Sequence, residues 1–306
     1  MDKVSRKVRL ATVSMLYRYD FKEMEYYEFM MKNATEYLYD AAKEKPDLIV
    51  LPENFAHLQL SKVLRDQVAE EIPDMGAPMQ KAMSEIAKDI QCNIIFGLTE
   101  KEGDRYYNSA VIIDRMGKYV GKYQKVHLCP SEMWYYAAGN EIPVFDLDIG
   151  KIGITICMDI HYPEMWRIMA LKGADIIAHP TGWRDYTGNL CESIVNARAI
   201  DNQNYIVTSH LVEAPYLAGK LFGHSRIVDP YGRTRADTGH LPGYASAVVD
   251  LDEVYEYWVT GELKEKYPTL KECFFDMRKP ETYGSLCEVD KEMKWKLKNP
   301  IIRVKD

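Results

Sequence analysis

Residues 46–54 read PDLIVLPEN, and residues 174–182 read ADIIAHPTG. In each, an acid is followed by a short branched apolar run that stops just before or at a proline. A continuous run of this kind suits a strand buried on both faces. The surroundings repeat too. CNIIFG at 92–97 is echoed by NYIVTS at 204–209, and SAVIIDRMGKY at 109–119 by HSRIVDPYGRT at 224–234. Each half reads strand, helix, strand, helix, strand, hairpin. Any one βα unit resembles another, but several matches in one order favour a true repeat. The expectation is an α/β fold, a four-layer αββα sandwich with an internal pseudo-twofold repeat: two sheets face to face, with helices outside.

Outward from these runs, further strands are predicted over 8–15, 108–113, 119–125, 144–147, 151–156, 225–228 and 247–251. Residues 21–43 carry Met24, Tyr27, Met31, Ala34, Leu38 and Ala41 at helical spacing, the pattern of an amphipathic helix against a sheet. A helical stretch ends at 79–90, and further helices are predicted over 164–171 and 191–201. The turns at 114–117 and 229–232 each place a glycine late in the loop, which suits hairpins. The repeating domain is expected over 1–251. Residues 252–306 are charged, with aromatic clusters and no repeat, and read as a C-terminal extension packed on the domain or on a partner subunit.

The chain has 306 residues, 47% hydrophobic and 28% charged, ordinary values for a globular protein. A net charge of −7 argues against nucleic acid or an anionic membrane as partner. The first fifteen residues are basic but have no apolar core of signal-peptide length, and no apolar run approaches a membrane span, so the cytoplasm is expected. Of six cysteines, the closest two, Cys273 and Cys287, lie fourteen positions apart. That spacing suits reduced thiols and suggests no metal site.

The chemistry is expected around residues 150–164, GKIGITICMDIHYPE. A buried strand ends at Cys157, and the N–H groups of the following turn are expected to favour its thiolate. Taken alone, the cysteine reads more readily as a small buried hydrophobe. Two other residues stand in matching places: Glu53 follows DLIVL, and Lys125 ends the strand after the first hairpin. Strand carboxyl ends are where ligands collect in layered α/β proteins. A carboxylate can take the thiol proton while the sulfur attacks a polarised carbon, and an ammonium can stabilise the oxyanion that develops.

LPEN at Glu53, YQKVHL at Lys125 and GITICMDIHYPEMWR at Cys157 resemble the three signatures of the nitrilase superfamily of carbon–nitrogen hydrolases. ARAIDNQNYIV at 197–207 and GHSRIVDPYGR at 223–233 fit the same family, and the resemblance runs from about residue 8 to about residue 251. It implies an αββα sandwich that pairs with a second subunit as a homodimer or larger homo-oligomer, without a cofactor. It also implies Glu53 as general base, Lys125 as oxyanion support and Cys157 as nucleophile. Family members often add a second glutamate after the lysine motif. HLCPSEMWYYAAGNE offers Glu132 and Glu141; Glu132, followed by aromatics and Gly139, resembles the carbamoylase arrangement and is preferred.

Other residues have blander roles to set against functional ones. His127 is expected to hydrogen-bond backbone, and Arg167 and Arg198 to pair with acids inside the fold. His161 suits either substrate contact or a helix cap. Trp183, Arg184 and Tyr186, in the loop leaving the same rim, are expected to line the pocket, with Tyr136 among the substrate contacts. Met158 is expected to contribute its backbone N–H, and Asp159 and Glu164 to order the turn after the cysteine. The nitrile-cleaving branch has Trp-Glu after its cysteine; Met158-Asp159 resembles the amide and carbamoyl branches instead. Ile160-His161 stands where carbamoylases carry the arginine that suits a substrate carboxylate. The expected reaction is hydrolysis of a small linear amide or N-carbamoyl compound through a thioester, releasing ammonia. Two rivals are a papain-like hydrolase drawing on His161, His179 or His210, and a non-catalytic scaffold with the same fold. All three essential groups are present, which favours an enzyme.

Overall fold

A computed structural model describes residues 5–18, 20–58, 60–182, 189–213, 221, 223–253, 266–267 and 269–288. The chain divides into two compact units, Met1–Tyr255 and Glu256–Asp306.

The first unit holds two sheets. One runs in the order β10 (Leu211–Glu213), β1 (Lys7–Tyr17), β2 (Leu48–Val50), β3 (Asn93–Glu102), β4 (Arg105–Ile113) and β5 (Tyr119–Gln124). A further strand, β13 (Gly243–Asp250), pairs with β1. The other sheet runs β12 (Thr234–Asp237), β11 (Arg226–Val228), β9 (Tyr205–Ser209), β8 (Ile176–Pro180), β7 (Gly150–Ile154) and β6 (Val144–Leu147). The repeat seen in the sequence is a repeat of pairing. Strands β1, β2 and β3 are parallel, and β4 and β5 continue that sheet antiparallel; β7, β8 and β9 are parallel, and β11 and β12 continue theirs antiparallel.

Alternation along the strands builds the layers, because successive side chains point to opposite faces. Leu48 and Val50 of β2, Ile95 of β3 and Ile112 of β4 share one core with Ile152, Ile154 and Ile176 of the second sheet. Their neighbours Ile49, Ile94, Phe96 and Val111 face a second core. There they meet Met30 and Leu38 of helix α1 (Met24–Ala42) and, beyond the short α2 (Lys62–Val68), Met83 of α3 (Pro78–Ile90). Trp166 and Met169 of α4 (Pro163–Leu171) and Val195 and Ala199 of α5 (Asn189–Asn202) cover the second sheet.

Several boundaries differ from the sequence expectation. The buried stripe of α1 is Tyr26, Met30, Ala34, Leu38 and Ala41, so its first two turns face inward one residue earlier than Tyr27 and Met31. Adjacent apolar pairs (Tyr26-Tyr27, Met30-Met31) left that rotation open, and the Tyr26 hydroxyl, donating to the Phe55 carbonyl at 2.7 Å, fixes it. The segment before residue 90 is two helices, because Pro73 and Gly76 fall between them. Strand β10 was not anticipated, and β13 begins at Gly243, four residues earlier than expected. Strand β7 ends at Ile154, two residues short of the expected 156, for a reason that belongs to the site.

In the second unit, α6 (Leu270–Asp276) has the features of a well-capped helix. Thr269 Oγ1 accepts the Glu272 N–H at 3.1 Å, and the Glu272 carboxylate accepts the Thr269 N–H at 3.0 Å. Short 3-10 turns follow at Pro280–Thr282 and Gly284–Cys287. No described helix is long and apolar enough to cross a membrane.

Candidate active site

After β7 the chain leaves the ladder to make an elbow. Thr155 N–H still donates to the Ala178 carbonyl at 3.0 Å, but its hydroxyl lies 2.8 Å from Nδ1 of His179. Cys157 then opens a five-residue 3-10 turn, Cys157–His161, with φ of +45°. A residue with a Cβ adopts that left-handed conformation at a cost of about 1 kcal/mol, so something must hold it. The holder is the fully buried Asp159. Its Oδ2 accepts the Ile156 N–H at 2.8 Å and the Tyr123 hydroxyl at 2.7 Å. Its Oδ1 accepts the His127 N–H at 3.0 Å and lies 2.9 Å from His127 Nδ1. One carboxylate thus ties the cysteine elbow to the end of β5, with Lys125 between its two partners.

Lys125 is buried, and its Nζ lies 2.7 Å from Glu53 Oε1 and 3.0 and 2.8 Å from the two oxygens of Glu132. Burial favours the neutral amine, but the charges of Glu53, Cys157 and Glu132 outweigh it and hold the ammonium well above its ordinary pKa. A second donor joins the carboxylates. Asn108 Nδ2 donates to Glu53 Oε1 at 2.8 Å and to Glu132 Oε1 at 2.9 Å. The remaining oxygens are also engaged: Glu53 Oε2 accepts the Gly182 N–H at 2.7 Å, and Glu132 Oε2 accepts the Cys129 N–H at 2.8 Å.

The Glu53 loop is fixed from behind. Asn54, at φ +43°, donates from Nδ2 to the Tyr136 hydroxyl at 2.6 Å, and Thr99 Oγ1 lies 2.9 Å from the same hydroxyl. Gly97 of β3 permits this closeness. A Cβ there would fall 2.3 Å from the Asn54 nitrogen and 3.0 Å from the Glu53 backbone.

The structure therefore brings together Glu53, Lys125, Glu132 and Cys157. Glu141 is exposed and lies in a groove with Glu102, Lys122 and Gln124 instead. Met158 is half-buried in the turn after the thiol. Tyr136, expected against substrate, is buried behind the Glu53 loop with its hydroxyl engaged by Asn54 and Thr99. His127 bonds a carboxylate, where backbone was expected, and stacks on Tyr162 with ring centroids 3.5 Å apart. Arg167 and Arg198 donate to the carbonyls of Asp201 and Ile160, and the acids Asp201 and Glu164 lie near Arg198. Asp159 orders the elbow, whereas Glu164 is exposed in the first turn of α4. His161 is exposed at the end of the 3-10 turn, and partial burial and nearby Arg198 lower its pKa. Trp183, Arg184 and Tyr186 lie outside the described residues.

The thiol departs most from expectation. Contact with the Cys129 thiol, burial and the charge of Glu53 push Cys157 well above the usual thiol range, against the pull of Lys125. A resting thiolate is not what this environment favours, so a base beside the sulfur becomes necessary to its reactivity. His179 is poorly suited to be that base, because burial pushes it down to about 3. Asn108, Cys129 and Gly182 escaped the sequence reading. A polar Asn108 opening a predicted buried strand was the one available signal. Among the described residues, no group of three or more His, Cys, Asp or Glu side chains is arranged to hold a metal ion.

Residues 10–258 match the family profile of the carbon-nitrogen hydrolases. The chain belongs to the carbon–nitrogen hydrolase family. A probable nitrilase of Schizosaccharomyces pombe is 32% identical over 84% of this chain and 92% of its own length. A deaminated glutathione amidase of Synechocystis is 28% identical, covering 80% of this chain and 92% of the relative. In fold, this carbon–nitrogen hydrolase is similar to a mutant amidase from Nesterenkonia that carries the acetamide moiety of fluoroacetamide on its active-site cysteine. The TM-score is 0.73 at 19% identity, over 91% of this chain and 96% of that one.

Proposed function

We propose that this carbon–nitrogen hydrolase cleaves the C–N bond of a small linear amide through a thioester on Cys157. The observation that carries the reading is Lys125, a buried ammonium held between Glu53 and Glu132 and tied, through its neighbours Tyr123 and His127 on Asp159, to the elbow that carries Cys157. As Sγ attacks the amide carbon, Glu53 takes the thiol proton. The oxygen of the tetrahedral intermediate becomes an anion facing the Lys125 ammonium and the backbone N–H of Met158. Glu53 returns its proton to the nitrogen, the C–N bond breaks and ammonia leaves. Glu53 then deprotonates water, which attacks the thioester; the acid departs and the proton returns to the sulfur. In this scheme Glu132 holds the lysine in place through all the steps.

The substrate class is read from the surroundings of the thiol. Met158-Asp159 after the cysteine disfavours nitriles. A substrate carboxylate finds no arginine at residues 160–161, and His161 is lowered toward the neutral imidazole at ordinary pH. An amide with an uncharged acyl chain fits better than an N-carbamoyl acid. The amidase names among the relatives support amide hydrolysis in general.

The test is ammonia release from a panel of simple amides, N-carbamoyl amino acids, carbamoylated amines and nitriles, with Cys157→Ala as control. Ammonia from the amides alone, absent in the variant, is the expected outcome. Undiminished hydrolysis by Cys157→Ala would refute the thioester route, and turnover confined to nitriles or carbamoyl acids would refute the substrate class.

A further inference from the structure

Asparagine is disfavoured inside strands, yet Asn108 lies in β4, opposite Thr99 of β3, and is buried. The hydrolytic scheme gives it no part. Its backbone is tied to the site, because its carbonyl accepts the Lys125 N–H at 2.9 Å. Its side chain closes a ring. Nδ2 donates to Glu53 Oε1 at 2.8 Å and to Glu132 Oε1 at 2.9 Å, and Lys125 Nζ lies 2.7 and 3.0 Å from the same two oxygens. Two nitrogens thus bridge two oxygens.

The orientation of this amide is forced. With Oδ1 in the place of Nδ2, an acceptor would face two carboxylate oxygens with no proton between them. The orientation that results leaves Oδ1 buried with no hydrogen-bond partner among the described residues. A buried acceptor left unpaired is a cost to the fold. What the amide contributes is its pair of donors, and both are spent on the two glutamates.

We propose that Asn108 is a positioning residue for the hydrolytic reaction, holding the base Glu53 in place against Glu132 and Lys125 while Glu53 gains and loses its proton. The role presupposes the amide hydrolysis proposed above. A bond between ammonium and carboxylate is charge-assisted, and it loses much of its strength when the carboxylate is neutralised. A bond from a neutral amide depends less on that charge. Asn108 therefore keeps Glu53 in place during the half of the cycle when Lys125 grips it least. The same donors decide where the proton goes. Each carboxylate oxygen offers two lone pairs. Those of Glu53 Oε1 are taken by Nζ and Nδ2, whereas among the described residues Oε2 accepts only the Gly182 N–H. Oε2 is the oxygen left to take the thiol proton.

The test compares the full-length native chain with Asn108→Ala and the similarly sized Asn108→Leu, each alone and combined with Glu53→Gln. Two rates are measured: ammonia release from a simple amide, and alkylation of Cys157 by iodoacetamide, followed by peptide mass, which needs no turnover. Either single variant should lower kcat by about 10–100-fold with KM within about twofold of native, and should slow the alkylation several-fold. In the Glu53→Gln background, where no proton carrier remains to be positioned, the same substitutions should change alkylation by less than about twofold. An equal loss in both backgrounds would overturn the proposal, because Asn108 would then act without Glu53. So would native kcat and alkylation, or a loss confined to KM. Variants that fail to fold would make Asn108 a structural residue and overturn it as well. Alkylation that slows only where Glu53 is present, with no ammonia from any amide, would count against amide hydrolysis alone.

Discussion

The backbone N–H of Gly182 donates to Oε2 of Glu53 at 2.7 Å, and these residues stand near the ends of the two stretches that repeat in the sequence, ADIIAHPTG and PDLIVLPEN. The two sheets face each other so that the loop after β8 meets the loop after β2. The repeat is thus more than scaffolding: one half supplies the carboxylate, and the other supplies a donor that orients it.

Replacing Glu53 by glutamine tests that arrangement. Both carboxylate oxygens accept, from Lys125 and Asn108 on one side and Gly182 on the other, so an amide must turn its NH2 toward a donor. Ammonia release should fall by about 10²–10⁴-fold with loss of the proton carrier, and stability by about 1–3 kcal/mol with the unmatched donor. Steady-state kinetics and thermal melting report both. A variant with native turnover would remove Glu53 from the chemistry.

Lys125→Met should cost folding as well as rate. The ammonium separates two carboxylates, and Glu53 is only 3% exposed. Removing one partner of a buried ion pair costs about 3–5 kcal/mol. The melting temperature at neutral pH should drop accordingly. A native melting temperature would show that the carboxylates do not need the lysine.

How far the sequence could be read depends on the physics of each feature. The two-sheet architecture was visible because strands buried on both faces must be apolar throughout, and the two halves repeat. Glu53, Lys125 and Cys157 were legible because each lies just past the carboxyl end of a strand, in a stretch that resembles a family signature. Tyr136 was misplaced because a tyrosine near a site serves equally as wall or as buttress; only its bond from Asn54 distinguishes them. Asn108 stayed hidden because its importance lies in contacts made across the fold, with residues 55 and 24 positions away. The thiol's pKa direction was wrong for a related reason. The turn's N–H groups are local and legible, whereas Glu53 and Cys129 reach Cys157 only in three dimensions.

Acid should unfold this protein earlier than its carboxylates alone require. His57 is fully buried, accepts the Thr99 N–H at Nδ1 over 3.0 Å, and is pushed by burial to about 3; His179 is likewise pushed to about 3. In the unfolded chain both titrate near 6.5. Between those values the unfolded state binds more protons, so stability is complete above pH 6.5 and declines as pH falls toward 3. The slope approaches about 1.4 kcal/mol per pH unit for each histidine. Denaturant melts from pH 7 to pH 5 measure it, and His57→Asn, which keeps an acceptor for Thr99, should roughly halve the slope. A flat profile in the native chain would mean that these imidazoles are not held neutral.

Gly97→Ala asks whether the site tolerates any shift of its base. The added methyl would stand 2.3 Å from the Asn54 nitrogen and 3.0 Å from the Cα and carbonyl carbon of Glu53, all backbone atoms that no rotamer change can move aside. Either β3 or the Glu53 loop must yield. Strand β3 is held by a nine-pair register with β4, so the loop is the part that moves. Overpacking of this kind costs about 1–3 kcal/mol. The rate should suffer more than that, because displacing a proton carrier by about 1 Å can lower turnover by about 10²-fold. Melting and ammonia release on the same preparation separate the effects. A variant that loses stability but keeps its turnover would show that Glu53 follows Cys157 and Lys125 wherever they go, and that its placement does not depend on β3.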